Sequence, residues 1–215
     1  GELLNLMRDM PMVLVDRQLP ELKVDLVGLD NLDAVEQAIA HLHARGYRDI
    51  LAVTEPLDGT SSRAERVLAV GTCVGQRPGM RQQVLHTGPG LDAGLAAFLA
   101  QSGHGPQAIF TCNGVATLEV TRSLRATGRD LFADVGLIAL DDLDWYPLVG
   151  SGITALAQPT ERIGVAAFDS RLGRLQGDSG IARRIDFKAS LLIRGSTSPR
   201  QLPAASALAH TAGEK

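Results

Sequence analysis

Residues 24–53 read VDLVGLDNLDAVEQAIAHLHARGYRDILAV and contain a complete strand–helix–strand unit. The apolar run 24–29 predicts a buried strand, and the pair 30–31, Asp-Asn, then offers a side-chain cap to a helix. Apolar residues recur at helical spacing, at Leu32, Val35, Ile39 and Leu42. Gly46 ends the helix, and residues 50–53 predict the next buried strand. This order is typical of an α/β domain with a parallel sheet.

The same alternation of strands and helices continues along the chain. Further strands are predicted within residues 11–15, 83–86, 108–112, 135–140, 153–157 and 181–193. Residues 3–8 have the pattern of a helix end, and residues 198–215 are expected to be a flexible tail. The fold class is therefore α/β, and 215 residues suffice for one large domain or two small ones.

The composition is that of a globular protein without a basic surface. Hydrophobic residues make up 45% of the chain, and 21 basic against 24 acidic side chains give a formal net charge of -3. Domains that bind a phosphate backbone usually carry a basic excess, so this chain by itself is not expected to bind DNA. No apolar run approaches the roughly 18 residues of a membrane helix, and the first residues do not resemble a signal peptide. We expect a cytoplasmic protein in which Cys73 and Cys112 are buried, reduced thiols rather than a disulfide.

Motifs for catalysis, cofactors and metals are missing from the sequence. Residues 88–94, GPGLDAG, follow a strand, but three residues instead of two precede the last glycine, so a turn is favoured over a dinucleotide-binding loop. His41 and His43 lie two residues apart on a helix and point to different faces, which excludes a shared metal. Asp141 and Asp142 are adjacent at a strand end, where their side chains diverge. We therefore expect no cofactor, no metal site and no enzymatic activity.

Small or polar residues follow many of the predicted strands at the point where each strand ends. They are Asp16, Asp30, Thr54, Asn113, Asp141 and Asp142. Ligands of open parallel sheets bind outside the carboxyl ends of the strands, so the set predicts a polar cleft suited to a hydroxyl-rich ligand. The alternative for any single member is a turn former or a helix cap.

Residues 58–66, DGTSSRAER, are the most informative segment for a binding site. Ser62 with Glu65 three residues later has the pattern of a capping box, which predicts the start of a helix. Arg66 lies one turn inside that helix, where free N–H groups and a guanidinium can bind an anion or a polyol. The alternative is an ordinary solvent-facing arginine.

Together, these segments resemble the effector-binding domain of the LacI/GalR family of transcriptional repressors. The similar segments follow the family's order at residues 13–17, 27–31, 41–53, 62–66, 108–113, 135–142 and 153–159. The resemblance implies two similar parallel-sheet, Rossmann-like subdomains of the periplasmic-binding-protein-like type I, joined by three connections, with the effector between them. The N-terminal subdomain, with its first part missing, would comprise residues 1–31 and 158–178, and the C-terminal one residues 32–157 and 179–197.

The family's effector-binding positions correspond to residues already identified at strand ends and at the helix start. They are Arg66, the main effector-binding side chain of the family, and Asp16, Ser62, Asn113 and Asp141. Besides the missing N-terminal part, the sequence departs from the family at two positions. Gly114 stands where an aspartate usually follows the cleft asparagine, and no aromatic residue stands near Leu91. Trp145 is a candidate to replace that aromatic ring, and the alternative is that it packs at the rim.

Within the family, residues 13–22 and 55–63 are similar to repressors of ketogluconate utilisation, the Ptx-type regulators. This likeness implies a sugar-acid effector such as 2-ketogluconate, with its carboxylate on Arg66. It also implies a homodimer that contacts operator DNA only through a helix-turn-helix absent from this chain.

One rival interpretation is a periplasmic sugar-binding protein of a transport system, which shares the two-lobed architecture. A sugar-converting enzyme is disfavoured by the altered glycine motif and the missing acid–base pair.

Overall fold

The structure of the protein is a computed structural model that describes residues 10–19, 21–59, 61–101, 105–128 and 132–199. The expected helix end at residues 3–8, and residues 200–215 of the expected tail, lie outside the described residues. Within the described ranges, no helix is both long enough and apolar enough to cross a membrane.

Strands and helices alternate along the described residues, as the sequence predicts. The strands are β1 (Val13–Val15), β2 (Asp25–Leu29), β3 (Asp49–Thr54), β4 (Arg81–His86), β5 (Gln107–Thr111), β6 (Gly136–Leu140), β7 (Thr154–Ala157), β8 (Arg184–Phe187) and β9 (Ser190–Leu192). The α-helices are α1 (Asn31–Ala44), α2 (Ser61–Gly75), α3 (Leu91–Leu99), α4 (Gly114–Ala126) and α5 (Thr160–Leu175). Short 3₁₀ helices occupy Tyr146–Leu148 and Gly195–Thr197.

The unit β2–α1–β3 forms from the local signals read in the sequence. Asp30 caps α1 because its side chain accepts a hydrogen bond from the backbone N–H of Asp33 at 3.0 Å. Gly46 follows the helix with a φ of +91°, a left-handed conformation that glycine adopts without a steric penalty. The predicted turn at residues 88–94 is also confirmed, since Gly88 and Gly90 have φ values of +97° and +98°.

The larger sheet has six strands in the order β4-β3-β5-β6-β7-β9, and only β9 runs antiparallel to its neighbour. Side chains alternate across it, which places helices on both faces. Ile50 and Phe110 face the core under α1 and α2, whereas Leu51 and Ile109 face the core under α3 and α4. The two buried layers hold this part of the molecule together.

The smaller sheet consists of β1, β2 and β8, all parallel, in that order. Helix α5 packs on it, with the Arg162 guanidinium 4.9 Å from the centre of the Phe187 ring. The chain passes between the sheets three times, from β2 to α1, from β7 to α5 and from β8 to β9. Residues 179–197, expected to belong to the C-terminal subdomain alone, divide between the sheets, since β8 pairs with β2 and β9 pairs with β7.

Candidate functional site

Two aspartates end strands of different sheets and share a backbone conformation that is uncommon for this residue type. Asp16 follows β1 with a φ of +64°, and Asp141 follows β6 with a φ of +76°. The left-handed conformation costs a non-glycine residue on the order of 1 kcal/mol or more, and such strain concentrates at functional sites. Both residues belong to the set that the sequence places at strand ends.

Arg66 lies at the centre of a hydrogen-bonded group that joins the two sheets. The residue is 5% exposed, and its Nη2 donates to Oδ1 of Asp16 at 3.1 Å. Its Nε donates to Oδ1 of Asn31 at 2.8 Å, and its Nη1 donates to the carbonyl oxygen of Cys112 at 3.0 Å. One guanidinium therefore contacts residues that follow β1, β2 and β5. The interpretation of Arg66 as a solvent-facing side chain is wrong.

Ser62 contacts the same aspartate and does not form the predicted capping box. Helix α2 begins at Ser61, and the Ser62 hydroxyl donates to Oδ2 of Asp16 at 2.9 Å. The Glu65 carboxylate accepts a hydrogen bond from Nδ2 of Asn31 at 2.8 Å. The capping box is therefore wrong, because both side chains bind groups outside α2. Asp16 lies against the first turn of the helix and is a stronger acceptor for the hydroxyl than any group within the turn.

A second polar group surrounds Asn113, another residue predicted for the cleft. Asn113 caps α4 by accepting a hydrogen bond from the backbone N–H of Ala116 at 2.8 Å, and its Nδ2 donates to Oε2 of Glu55 at 2.7 Å. Arg63 also donates to Oε2 of Glu55, at 2.7 Å. Since Cys112 and Asn113 are consecutive, the two polar groups meet at the junction of β5 and α4.

Three of these residues are not predicted as site residues from the sequence: Asn31, Glu55 and Glu65. Glu55 follows Thr54, the last residue of β3, so the rule that selected the other strand-end residues also applies to it. Asn31 was interpreted only as part of a helix cap. No local pattern shows that it contacts Arg66, which is distant in sequence.

Asp141 and Trp145, the remaining predicted site residues, have other partners. Gln158, in the connection between β7 and α5, donates through Nε2 to Oδ1 of Asp141. Trp145 packs edge to face on Tyr146, with the ring centroids 4.6 Å apart and an interplanar angle of 82°. Among the described residues, no hydrogen bond joins either side chain to Arg66. The structure thus connects Asp16, Ser62 and Arg66 directly, and Asn113 through its neighbour.

At Gly114, where the sequence departs from the family pattern, a neighbouring side chain packs closely over the backbone. A Cβ atom at this position would lie 2.7 Å from Cδ1 of Leu143, which is closer than real Cβ contacts. Leu143 lies just beyond β6, and its packing over the start of α4 takes the space that a side chain would need. A side chain at position 114 would therefore require Leu143, which is 39% exposed, to change its conformation.

The chemistry of the group is suited to binding rather than to catalysis. Burial raises the pKa of the Cys112 thiol to about 12, so this side chain is not a thiolate nucleophile at neutral pH. Cys73 and Cys112 are both free and buried, which confirms the expected thiols. In the described ranges, no group of three or more metal-binding side chains occurs. The side chains around Arg66 and Asn113 form a mixture of hydrogen-bond donors and acceptors that a polyol can satisfy.

Comparison with known proteins identifies the family. Residues 39–197 match the model of the periplasmic binding protein-like domain. This chain belongs to that family. It is 79% identical over 200 residues to the HTH-type transcriptional regulator PtxS of Pseudomonas putida, which corresponds to 93% of this chain and 59% of the relative. The HTH-type transcriptional regulator KdgR of Bacillus subtilis is 31% identical over 194 residues, covering 88% of this chain and 57% of the relative.

Solved structures of the family have the same fold. The LacI family transcriptional regulator from Enterococcus faecalis V583, with bound ribose, superimposes with a TM-score of 0.75 at 21% identity, over 89% of this chain and 70% of that chain. A LacI transcriptional regulator from a Rhodococcus species superimposes with a TM-score of 0.76 at 24% identity, over 92% of this chain and 74% of that chain. The predicted periplasmic-binding-protein-like α/β fold is therefore confirmed, as is the resemblance to LacI-family effector domains and to Ptx-type regulators. These relatives are regulators and not enzymes, as the sequence predicts.

Proposed function

We propose that this chain senses a sugar acid, such as 2-ketogluconate, on behalf of a LacI-family transcriptional repressor. The observation that carries the proposal is the buried guanidinium of Arg66 between the carboxyl ends of strands from two sheets. An arginine side chain has five N–H donors, and three of those of Arg66 have an acceptor among the described residues. Two donors remain for a ligand carboxylate, which a guanidinium can bind in a bidentate manner.

Acceptors for the hydroxyl groups of a sugar lie close to these donors. The Asp16 side chain is 35% exposed and uses each oxygen once, for Ser62 and for Arg66, so lone pairs remain available. The Glu55 carboxylate, with a side chain 25% exposed, is neutralised by Arg63. A ligand that combines one carboxylate with several hydroxyls matches this mixture. The proposed cleft also includes Ser62, Asn113, Asp141 and Trp145.

Binding of operator DNA is proposed for a part of the protein outside the matched region. The chain spans 59% of the length of the PtxS relatives, which are named HTH-type transcriptional regulators. A net charge of -3 gives the chain itself little electrostatic affinity for a phosphate backbone. By the same resemblance we propose that the protein is a cytoplasmic homodimer. Sedimentation equilibrium would measure the mass of this dimer. Ligand binding between the sheets would then change operator affinity through the arrangement of the two lobes.

Calorimetric titration with 2-ketogluconate, gluconate, glucose and ribose tests the ligand class. The acids should bind at least about tenfold more tightly than the neutral sugars, since about 1.4 kcal/mol corresponds to a factor of ten and a charge-assisted bond to a buried guanidinium contributes that much. Ribose binding more tightly than both acids would exclude a sugar-acid sensor without affecting membership of the family. If every bound acid left the operator affinity of the full-length protein unchanged, the regulatory role would be excluded.

The transport alternative has weaker support. A periplasmic sugar-binding protein shares the two-lobed fold, but the relative with 79% identity is named a transcriptional regulator. Fluorescence anisotropy of the full-length protein with operator DNA separates the two functions, because only a transcriptional regulator should bind this DNA in a ligand-dependent way.

A further inference from the structure

The direction in which Arg66 offers its free donors to a ligand depends on the orientation of its planar guanidinium. Nε of Arg66 donates to Oδ1 of Asn31 at 2.8 Å, and each of these residues is 5% exposed. Nε lies where the plane joins the aliphatic stem, so a bond there restricts rotation of the plane and leaves both Nη nitrogens for other partners. Asp16 and Cys112 accept from the Nη nitrogens, which completes the orientation.

The amide of Asn31 is itself held by Glu65. Its Nδ2 donates to Oε2 of Glu65 at 2.8 Å, while its Oδ1 accepts from Arg66. The amide therefore has a cation on its oxygen side and an anion on its nitrogen side, and a flipped amide would satisfy neither. Glu65 precedes Arg66 on α2, and its carboxylate lies 3.6 Å from Nη2 of Arg184 on β8.

We propose that Asn31 and Glu65 are positioning residues, which orient Arg66 for the ligand. Asn31 is the first residue of α1, at the first of the three connections between the sheets. The orientation of the ligand-binding guanidinium is thereby linked to the point at which the chain leaves the small sheet. This inference rests on the proposed role of Arg66 in binding a sugar acid.

The first test is a set of four variants titrated with 2-ketogluconate in a calorimeter. Asn31→Ala removes the acceptor of Nε and should weaken binding by about tenfold or more, as loss of a hydrogen bond to a charged group does. Asn31→Asp alone should also weaken binding, because its carboxylate would face Glu65 without a proton donor between them. Glu65→Gln alone retains an acceptor and should have a smaller effect.

The combination of Asn31→Asp with Glu65→Gln makes the test specific. It exchanges the charged and the amide partner, so the hydrogen bond between positions 31 and 65 and the total charge are both retained. The double variant should bind 2-ketogluconate more tightly than Asn31→Asp does. Urea unfolding of the same variants without ligand separates this rescue of affinity from a recovery of general stability. A double variant that binds no better than Asn31→Asp would overturn the proposal.

Gln37→Ala is the matched control, because Gln37 is another amide of α1 that donates to a carboxylate, Oδ2 of Asp33, at 2.7 Å. Within the described ranges, Gln37 donates to Asp33 and to the carbonyl oxygen of Ala189 and makes no hydrogen bond with Arg66. The affinity of this variant for 2-ketogluconate should stay within about threefold of the wild type, a difference below about 1 kcal/mol. An equal loss in Gln37→Ala and Asn31→Ala would assign the effect to α1 as a whole and overturn a specific role for Asn31.

A second measurement separates this proposal from the proposed function. Urea unfolding without ligand is compared for Asn31→Ala, Arg66→Ala and a double variant that carries both of these alanine substitutions. If Asn31 orients Arg66, the double variant loses less free energy of unfolding than the sum of the two single losses. Additive losses would overturn the positioning role. If the wild type binds neither 2-ketogluconate nor gluconate, the proposed function fails, and this cycle still decides whether the two side chains act together.

Discussion

Replacing Arg66 by alanine should destabilise the protein even without a ligand. The substitution leaves Oδ1 of Asn31 and the carbonyl oxygen of Cys112 without their donor, and both lie in a buried environment. Each unpaired buried acceptor costs about 1–2 kcal/mol. The pair with Asp16 adds less than about 1 kcal/mol, because the aspartate is 35% exposed and water can replace the lost partner. We therefore expect a loss of about 2–5 kcal/mol in the free energy of unfolding, together with loss of sugar-acid binding.

Urea unfolding of ligand-free protein measures the first quantity, and calorimetry with 2-ketogluconate measures the second. Arg66→Lys is the matched control, because it keeps the charge but cannot reach all three acceptors with one ammonium group. Its stability and affinity should fall between those of the wild type and Arg66→Ala. An Arg66→Ala variant with an unchanged urea midpoint and an affinity within about threefold of the wild type would refute the reasoning.

Three further predictions concern groups outside the site. The hydrogen bonds from Arg174 lower the pKa of buried Asp25 to about 2, below its ordinary value of 3.8. Asp25 therefore stabilises the fold above pH 3.8 by at most about 2.5 kcal/mol. Urea unfolding should show this contribution lost as the pH falls from 3.8 towards 2, but not in Asp25→Asn. Gly136→Ala should cost about 1–3 kcal/mol in thermal unfolding, because the new Cβ would lie 2.6 Å from the buried Tyr47 ring. Since burial raises the pKa of Cys112 to about 12, mass spectrometry should find this thiol alkylated by iodoacetamide only after urea unfolds the protein.

Elements whose signals are local could be predicted from the sequence. The β2–α1–β3 unit carries its own cap, apolar spacing and glycine stop within residues 24–53, and no distant contact changes that outcome. The position of Arg66 followed from the same kind of signal, a helix that starts just after a strand. Local patterns also misled, because the spacing of Ser62 and Glu65 matches a capping box whose groups bind other parts of the fold instead.

Features that depend on contacts between distant segments could not be predicted. The contact of Asn31 with Arg66 joins residues 35 positions apart and forms only because α1 and α2 pack side by side on one face of the sheet. The division of residues 179–197 between the two sheets could not be predicted either. The sequence pattern predicts strands there but does not show which strands they pair with. Pairing of β8 with β2 depends on which sheet has a free edge, and that is a property of the assembled fold.

The pairing of β8 with β2 has a consequence for biosynthesis. The central strand of the small sheet leaves the ribosome long before the segment that completes its hydrogen bonds, from Leu26 N to Arg183 O at 2.9 Å and from Asp30 N to Phe187 O at 2.8 Å. Until then a strand edge rich in Leu and Val is open to other nascent chains, and such edges promote aggregation. A termination or a proteolytic cut before Arg184 would leave this edge permanently uncovered. Because the small sheet takes β1 and β2 from the start of the described chain and β8 from its end, it cannot be expressed alone from one short, continuous stretch of the gene.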